Sequence, residues 1–374
     1  MENSLIQQSL RTADYIRGIW DEALEKTRET VEPWSSKTEE VILCGCGDSH
    51  HSALCVEMAF VQWTGRRVRA APAMGAARYL IPRIRNRADE VLVIGISVSG
   101  EVARTLEAID LAKSTGARTM AITSSPDSSL ASIADYSLTL PFQPVSGPGL
   151  ISFLSSLISG YATCWVMSNE EGRLELDGCM RTAPSLLDQW VPVAVEEGRQ
   201  FADSSSPEEP CVFVGSGPAY GIALFSAAKV IESAGVRAWG QDLEEWTHIE
   251  YFAEPAGMPT WILSASGRSD SRVLEVVQAA EAIGRRVSVS CWSGLPEWSP
   301  WAREALSPLG LWAAPASYAA TITESLNETP FRNFGGGRNQ VEGGGANLIR
   351  SSHRLSNINE LSLPPSDKNQ IKSA

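Results

Sequence analysis

One pattern occurs twice in this 374-residue chain and constrains its fold more than any other feature. In the first half, the apolar run 41–44 leads through the glycine turn 45–49 into a predicted helix. In the second half, the run 211–214 leads through a turn at Gly215 into a helix whose apolar residues recur at helical spacing. Continuous apolar runs are typical of parallel strands covered on both faces. The repeat therefore predicts two similar βαβ modules in tandem.

Further strand-like runs follow each first strand at regular intervals. They lie at residues 91–94, 119–122, 260–263 and 287–290. Helical patterns over 101–114 and 271–283 separate them. Strands that alternate with helices predict an α/β fold of two doubly wound, flavodoxin-like parallel-sheet modules, with ligand sites at the carboxyl ends of the strands.

The segments outside the repeats complete the predicted domain organisation. We expect an N-terminal helical segment, a first module, a second module and a glycine-rich flap with a polar tail, at residues 1–35, 36–180, 181–325 and 326–374. Residues 170–208 are predicted to form a helical bridge between the modules, with turns near Gly178 and Pro184. Residues 32–37 are predicted to be a connector.

Charge and composition narrow the class of partner. The net charge of −13 disfavours binding to nucleic acid or to an anionic membrane. The apolar stretch 151–167 is short and interrupted by serines, so we expect a core helix and no membrane span. The first residues lack the features of a secretory signal, and seven scattered cysteines suit reduced thiols, which indicates a cytoplasmic protein. No ligand spacing for a metal is present, and no cofactor is expected.

Two turns at predicted strand ends could bind an anion. The turn 97–100 offers two hydroxyls, Ser97 and Ser99, and lies directly before a helix whose first N–H groups are free. The turn 45–49 has the same placement and adds Ser49. Each serine could equally serve as a helix cap. The presence of both turns in order favours binding.

The helix after Gly215 carries two charged residues on one face, Lys229 and Glu232. Small apolar neighbours around Glu232 would raise its affinity for a proton and make it a general base. The alternative is a solvated glutamate with Lys229 as its salt-bridge partner. His248 follows in a polar, aromatic stretch, where a lone histidine is more often structural.

These residues together resemble the double-SIS (sugar isomerase) family, such as the isomerase domain of glucosamine-6-phosphate synthase and the fructoselysine-6-phosphate deglycases. The resemblance implies that Glu232 is the catalytic glutamate, Lys229 a supporting lysine and His248 the ring-opening histidine. In the family this histidine often reaches a neighbouring subunit. A homodimer, or a higher homo-oligomer, with shared active sites is therefore expected.

The resemblance also implies a sugar-phosphate site. The residues it assigns to binding are Ser49, Ser97, Ser99, Gly47 and Gly100. Two family positions differ, because Val98 and Val102 stand where the family has glutamine and threonine. In the C-terminal segment Arg338 follows an Arg-Asn pair where the family has a lysine; it cannot form a Schiff base and is expected to contact the anion.

Three classes of function remain open. The first is an aldose–ketose isomerase in which Glu232 moves a proton between C1 and C2 through a cis-enediol. The second is a ketosamine deglycase or amino-sugar phosphate deaminase with the same residues. The third is a non-catalytic sugar-phosphate sensor, against which the presence of both Glu232 and His248 argues. Since no amidotransferase-like segment precedes the repeats, glutamine-dependent amination is not expected.

Overall fold

The strands of the computed structural model form two parallel sheets. The structure describes residues 4–139, 148–292, 297–328 and 353–362. The first sheet contains β1 (Glu40–Gly45), β2 (Arg67–Pro72), β3 (Val91–Ile96), β4 (Arg118–Thr123) and β5 (Tyr136–Thr139). The second contains β6 (Cys211–Val214), β7 (Ala238–Gln241), β8 (Pro259–Ser264) and β9 (Arg286–Cys291).

The strand orders, β2-β1-β3-β4-β5 and β7-β6-β8-β9, place the two sheets in the same doubly wound class. All neighbouring strands are parallel. The predicted α/β fold of two flavodoxin-like modules is therefore confirmed. The sequence did not predict three of the strands, namely β2, β5 and β7. Each lies at the edge of its sheet, where partial exposure removes the continuous apolar run.

Helices cover both sheets. They are α1 (Ser4–Leu10), α2 (Thr12–Ser35), α3 (Asp48–Thr64), α4 (Ala73–Gly75), α5 (Ala103–Thr115), α6 (Ser129–Ile133), α7 (Leu150–Met167), α8 (Glu170–Asp203), α9 (Pro218–Ala234), α10 (Leu243–His248), α11 (Asp270–Ala282), α12 (Pro300–Leu306) and α13 (Ala313–Ser325). A π-helical turn spans Ala76–Leu80, and 3-10 helices span Ile81–Glu90, Glu250–Phe252, Ser307–Leu309 and Ile358–Ser362.

A layer of helices joins the two modules into one core. Helix α3 of the first module packs against α9 of the second, and α13 packs against both α8 and α9. At Gly221 a side chain would meet the Cys55 Sγ at 2.5 Å and the carbonyl oxygen of His51 at 2.7 Å. Glycine at this position therefore lets α3 and α9 approach closely. One continuous apolar cluster includes residues from both sheets and from the helices between them.

Two predictions about the connecting segments are wrong. Helix α8 runs through Gly178 and Pro184 without a turn, since its buried face holds it against α13. The predicted division at residue 180 falls inside this helix, so the domain boundary stays a prediction. Helix α2 continues to Ser35 and takes up most of the expected connector.

Helix α7 meets the length and composition of a membrane span, contrary to the sequence argument that it is too short and too polar. Of its residues, 89% are buried inside the protein, as expected of a core helix. All seven cysteines are free thiols.

The C-terminal segment reaches the first module. Residues 353–362 lie against α5, where the Leu355 N–H donates to Glu107 Oε2 at 3.1 Å and the Ile358 N–H donates to Ser114 Oγ at 3.0 Å. Most of the segment predicted to be a flap, including Arg338, lies outside the described residues.

Candidate active site

The turn between β1 and α3 has a backbone that requires two glycines. A side chain at Gly45 would lie 2.7 Å from the Cβ of Ser49, and Gly47 has a φ of 56°. Helix α3 then begins at Asp48 without a side-chain cap on its first N–H groups. The turn therefore presents Asp48 and the mostly buried Ser49 at the carboxyl end of β1, while the N–H groups of Ser49 and His50 donate to carbonyl oxygens of the turn itself.

A cluster of three charged side chains links this turn to the second module. The ammonium of Lys229, on α9, donates to Asp48 Oδ2 at 2.6 Å and to Glu232 Oε2 at 2.6 Å. The Lys229 side chain is fully buried, while 24% of Asp48 and 38% of Glu232 remain exposed. Lys229 is thus held between two carboxylates, of which Glu232 has the greater access to solvent.

The pKa shifts within this cluster give the two carboxylates different roles. Burial alone would lower the pKa of Lys229, but Asp48 and Glu232 raise it, so the ammonium stays charged. Burial opposes ionisation of Asp48, yet Lys229 and His51 outweigh it and lower the pKa of Asp48. At Glu232 burial prevails over Lys229, and the charge of Asp48 adds to it, so the pKa of Glu232 is raised. Glu232 is therefore the carboxylate that takes up a proton more readily.

Two histidines follow Asp48 on α3. His51 Nδ1 lies 3.5 Å from Asp48 Oδ1. Burial, followed by the charge of His51, lowers the pKa of His50 to about 4. His50 is therefore neutral at physiological pH, and it lies two residues after Asp48 on α3.

The predicted anion turn after β3 lies beside the turn after β1, because β1 and β3 are neighbours. Ser97 Oγ accepts the Gly100 N–H at 3.1 Å, and Ser99 Oγ accepts the Glu101 N–H at 3.3 Å. Neither hydroxyl proton has an acceptor among the described residues, so both can donate to a ligand. Gly100 has a φ of 67°, and a side chain there would collide with Ser128. The strand order changes direction between β1 and β3. In such folds ligands bind at the carboxyl ends of the two strands where this change occurs.

Not every predicted site residue joins this cluster. His248 ends α10 on the surface, with 67% of its side chain exposed and Nε2 3.2 Å from Glu244 Oε1. Among the described residues it has no contact with Glu232 or Lys229. Asp48 and His51 belong to the cluster but were not assigned a role from the sequence. The one available signal was an acidic residue directly after a glycine turn, at the start of a helix.

Comparisons with known proteins agree with this architecture. Residues 36–168 match the SIS domain family. The glutamine–fructose-6-phosphate aminotransferase [isomerizing] of Pyrococcus horikoshii is 26% identical over 254 residues, which cover 66% of this chain and 41% of that protein. The chain thus spans about two fifths of the length of the curated relatives it matches.

Solved structures share the fold over most of the chain. The C-terminal domain of glucosamine-fructose-6-phosphate aminotransferase from Francisella tularensis aligns with a TM-score of 0.70 and 18% identity, covering 86% of this chain and 96% of that one. Glucosamine-6-phosphate deaminase from Thermotoga maritima aligns with a TM-score of 0.62 and 22% identity, covering 86% and 97%. Residues 36–168 therefore match the SIS domain family, and the chain shares its two-module fold with these solved structures.

Proposed function

We propose that this protein is a sugar isomerase whose substrate carries an anionic group, such as a phosphate, on C6. The observation that carries the proposal is the Asp48–Lys229–Glu232 cluster at the turn after β1, beside the turn after β3, whose Ser97 and Ser99 hydroxyls can donate to a ligand. An anion held by Ser49, Ser97 and Ser99 would fix one end of an open-chain sugar. The reacting carbons would then lie toward α9, where Glu232 is exposed.

In the proposed reaction Glu232 removes the proton from C2 of the aldose. The electrons of that C–H bond form the C1=C2 bond of a cis-enediol, and O1 takes up a proton. The hydroxyl on O2 then loses its proton, the C2 carbonyl forms, and Glu232 returns its proton to C1. General-base transfer of this kind contributes about 100- to 10,000-fold. The raised pKa of Glu232 suits a group that must both accept and return a proton.

Lys229 and Asp48 have supporting roles in this proposal. Because the Lys229 ammonium is buried and charged, it is a poor nucleophile and does not form a Schiff base. It orients Glu232 and offsets the negative charge that accumulates near the enediol. Asp48 keeps Lys229 charged and ties the catalytic helix α9 to the anion turn of the first module. Both are positioning residues.

The proposal is tested by incubating the protein with aldose and ketose 6-phosphates in deuterium oxide and following C1 and C2 by NMR. Deuterium incorporation with interconversion of the two sugars is the expected result. Release of ammonia from an amino-sugar phosphate, or of a free amine from a ketosamine phosphate, would identify a deaminase or deglycase instead. Tight binding without exchange on any substrate would indicate a sensor and overturn the enzymatic proposal.

We further propose that two subunits share each active site, with His248 supplied by the partner. The exposure of His248, away from Glu232 of its own chain, supports this. Glu232→Gln and His248→Ala proteins should each be inactive, and after subunit exchange their mixture should regain about a quarter of wild-type activity, because half of the dimers contain one complete site. A monomer by light scattering, or no recovery after proven exchange, would contradict shared sites.

A further inference from the structure

A cavity lies toward the opposite end of β1 from the proposed active site. It has a volume of about 510 Å3 and opens between the edge strand β2 and the 3-10 helix Ile81–Glu90. Cavities of this size accommodate small molecules. Of the lining residues on β1, Glu40 begins the strand and Ile42 lies three residues before its end at Gly45, so roughly 10 Å of strand separates the cavity from the anion turn. The cavity is therefore separate from the proposed catalytic site.

Charged groups of one sign dominate its lining. Four arginines and one glutamate face the cavity: Arg67, Arg69, Arg83, Arg87 and Glu40. Glu40 pairs with Arg87 and lies 3.5 Å from Arg67 Nε. Arg69 and Arg83 are exposed and form no salt bridge among the described residues, although the charge of Arg69 acts on the Glu57 carboxylate. In a chain with a net charge of −13, this lining carries three more positive than negative charges.

The arginines are held close together at an electrostatic cost. Arg67 and Arg69 project from one face of β2, since they are two residues apart on a strand. Arg83 and Arg87 come from the neighbouring 3-10 helix. Positive groups within about 10 Å of one another repel at ordinary salt concentration. A bound anion would remove this repulsion, and the planar guanidinium group matches phosphate oxygens two at a time.

The base of the cavity is apolar. Ile42 and Ile84 are almost fully buried there, and Leu80 is half-buried and packs in the same apolar cluster. Inorganic anions gain nothing from such a surface. An organic ligand with a flat or apolar body would bury it and place its charges among the arginines.

We propose that this cavity binds a small organic molecule that carries two or more phosphate-like negative charges on an apolar body. A nucleoside diphosphate has this chemistry, with a charge close to that of the lining. The proposal does not depend on the reaction catalysed at the active site.

Calorimetric titration of the full chain with ADP, pyrophosphate and adenosine tests the proposal. ADP should bind more tightly than either of the others. Arg69→Ala/Arg83→Ala should weaken ADP binding at least tenfold, and it should fold normally because both side chains are exposed and form no salt bridge within the described part of the chain. Arg11→Ala/Arg237→Ala is the matched control, since it removes two exposed arginines that likewise form no salt bridge with described residues and changes the net charge equally.

Three results would overturn the proposal. The first is no ADP binding by the wild-type protein at about 0.15 M salt. The second is an equal loss of affinity in both double variants, which would mean non-specific attraction. The third is a change of oligomeric state in Arg69→Ala/Arg83→Ala without any ADP binding, which would identify the cavity as an interface between copies of this chain.

Discussion

The two modules carry the same Ser-X-Ser-Gly turn after their second buried strands, but the serine hydroxyls of the two turns have different partners. Ser97 and Ser99 accept bonds from amides of their own loop. In the second module Ser264 Oγ donates to Asp270 Oδ1 at 2.6 Å, and Ser266 Oγ lies 3.1 Å from Cys291 Sγ. A shared motif therefore does not guarantee a shared function.

A carboxylate of the protein itself occupies the second turn. The Arg268 N–H donates to Glu304 Oε1 at 3.1 Å, and a side chain at Gly267 would collide with the Glu304 carboxylate. Glu304 is nearly buried, at 7% exposure. This carboxylate takes the place that we propose for a substrate anion in the first module.

The helices α3 and α9, which begin in the same way, also carry different charged residues in the two modules. Helices α3 and α9 both follow a glycine with φ near 57° and both end at a left-handed glycine. Counted from these starting glycines, the positions of Lys229 and Glu232 on α9 correspond to Ala59 and Gln62 on α3. Conversely, Asp48 on α3 corresponds to Pro218 on α9. The repeat has diverged so that each module contributes one part of a single charged cluster.

The largest effect is expected from the replacement of Glu232, the proposed general base on α9. Glu232→Gln should lower turnover about 100- to 10,000-fold while leaving sugar binding nearly unchanged, because the amide cannot accept the proton. Gln62→Ala, at the corresponding position of α3, should retain activity within a few-fold. Steady-state kinetics on both variants checks this, and near-normal activity of Glu232→Gln would remove it from the mechanism.

Removal of the buried ammonium should mainly affect stability. Lys229→Met leaves two carboxylates facing each other and should lower the free energy of unfolding by about 3–5 kcal/mol. The partly exposed pair of Lys26 and Glu22 is a control, for which Lys26→Met, which also removes a hydrogen bond to the Thr139 carbonyl oxygen, should cost about 1 kcal/mol. Urea denaturation measures both. Adding Asp48→Asn to Lys229→Met should recover part of the loss, and no recovery would contradict a coupled cluster.

A smaller effect is expected when the second turn is opened. Glu304→Ser removes a charged acceptor from Arg268 and should lower the free energy of unfolding by about 1.5–3 kcal/mol. Inorganic phosphate should then raise the melting temperature of this variant more than that of the wild-type protein, because the vacated turn can bind an anion. An identical phosphate dependence in both proteins would show that the two turns differ in more than Glu304.

The smallest effect is the pH dependence of stability that we expect from His50 in the first module. The pKa of His50 is about 4 in the folded protein, against about 6.5 in an unfolded chain. Between these values the unfolded chain binds a proton that the folded one does not, so stability should fall as the pH drops from 6.5 to 4. For this half-buried group we expect about 1 kcal/mol. The free energy of unfolding of His50→Gln should equal that of the wild-type protein at pH 8 and should fall by about 1 kcal/mol less between pH 6.5 and pH 4. Equal declines in the two proteins would contradict a lowered pKa of His50.

Local patterns in the sequence determined the repeated strand–turn–helix plan and the buried strands, because continuous apolar runs reveal burial on both faces. They also predicted that Lys229 and Glu232 share a helix face and that the turn around Ser97 and Ser99 binds an anion, and these roles stay predictions. The edge strands β2, β5 and β7 were not predicted, since a partly exposed strand needs no continuous apolar run. The uninterrupted course of α8 through two prolines also depended on its packing.

Only the tertiary structure decided which charges meet. Asp48 and Lys229 are 181 residues apart and are joined because α3 and α9 pack closely at Gly221. Glu304 reaches the turn of Arg268 from 36 residues away and closes a motif that looks open in the sequence. The strength of such pairs depends on distance and burial, which arise from packing between elements. The sequence therefore determined which chemical groups were available, and the packing of the two modules decided where they act together.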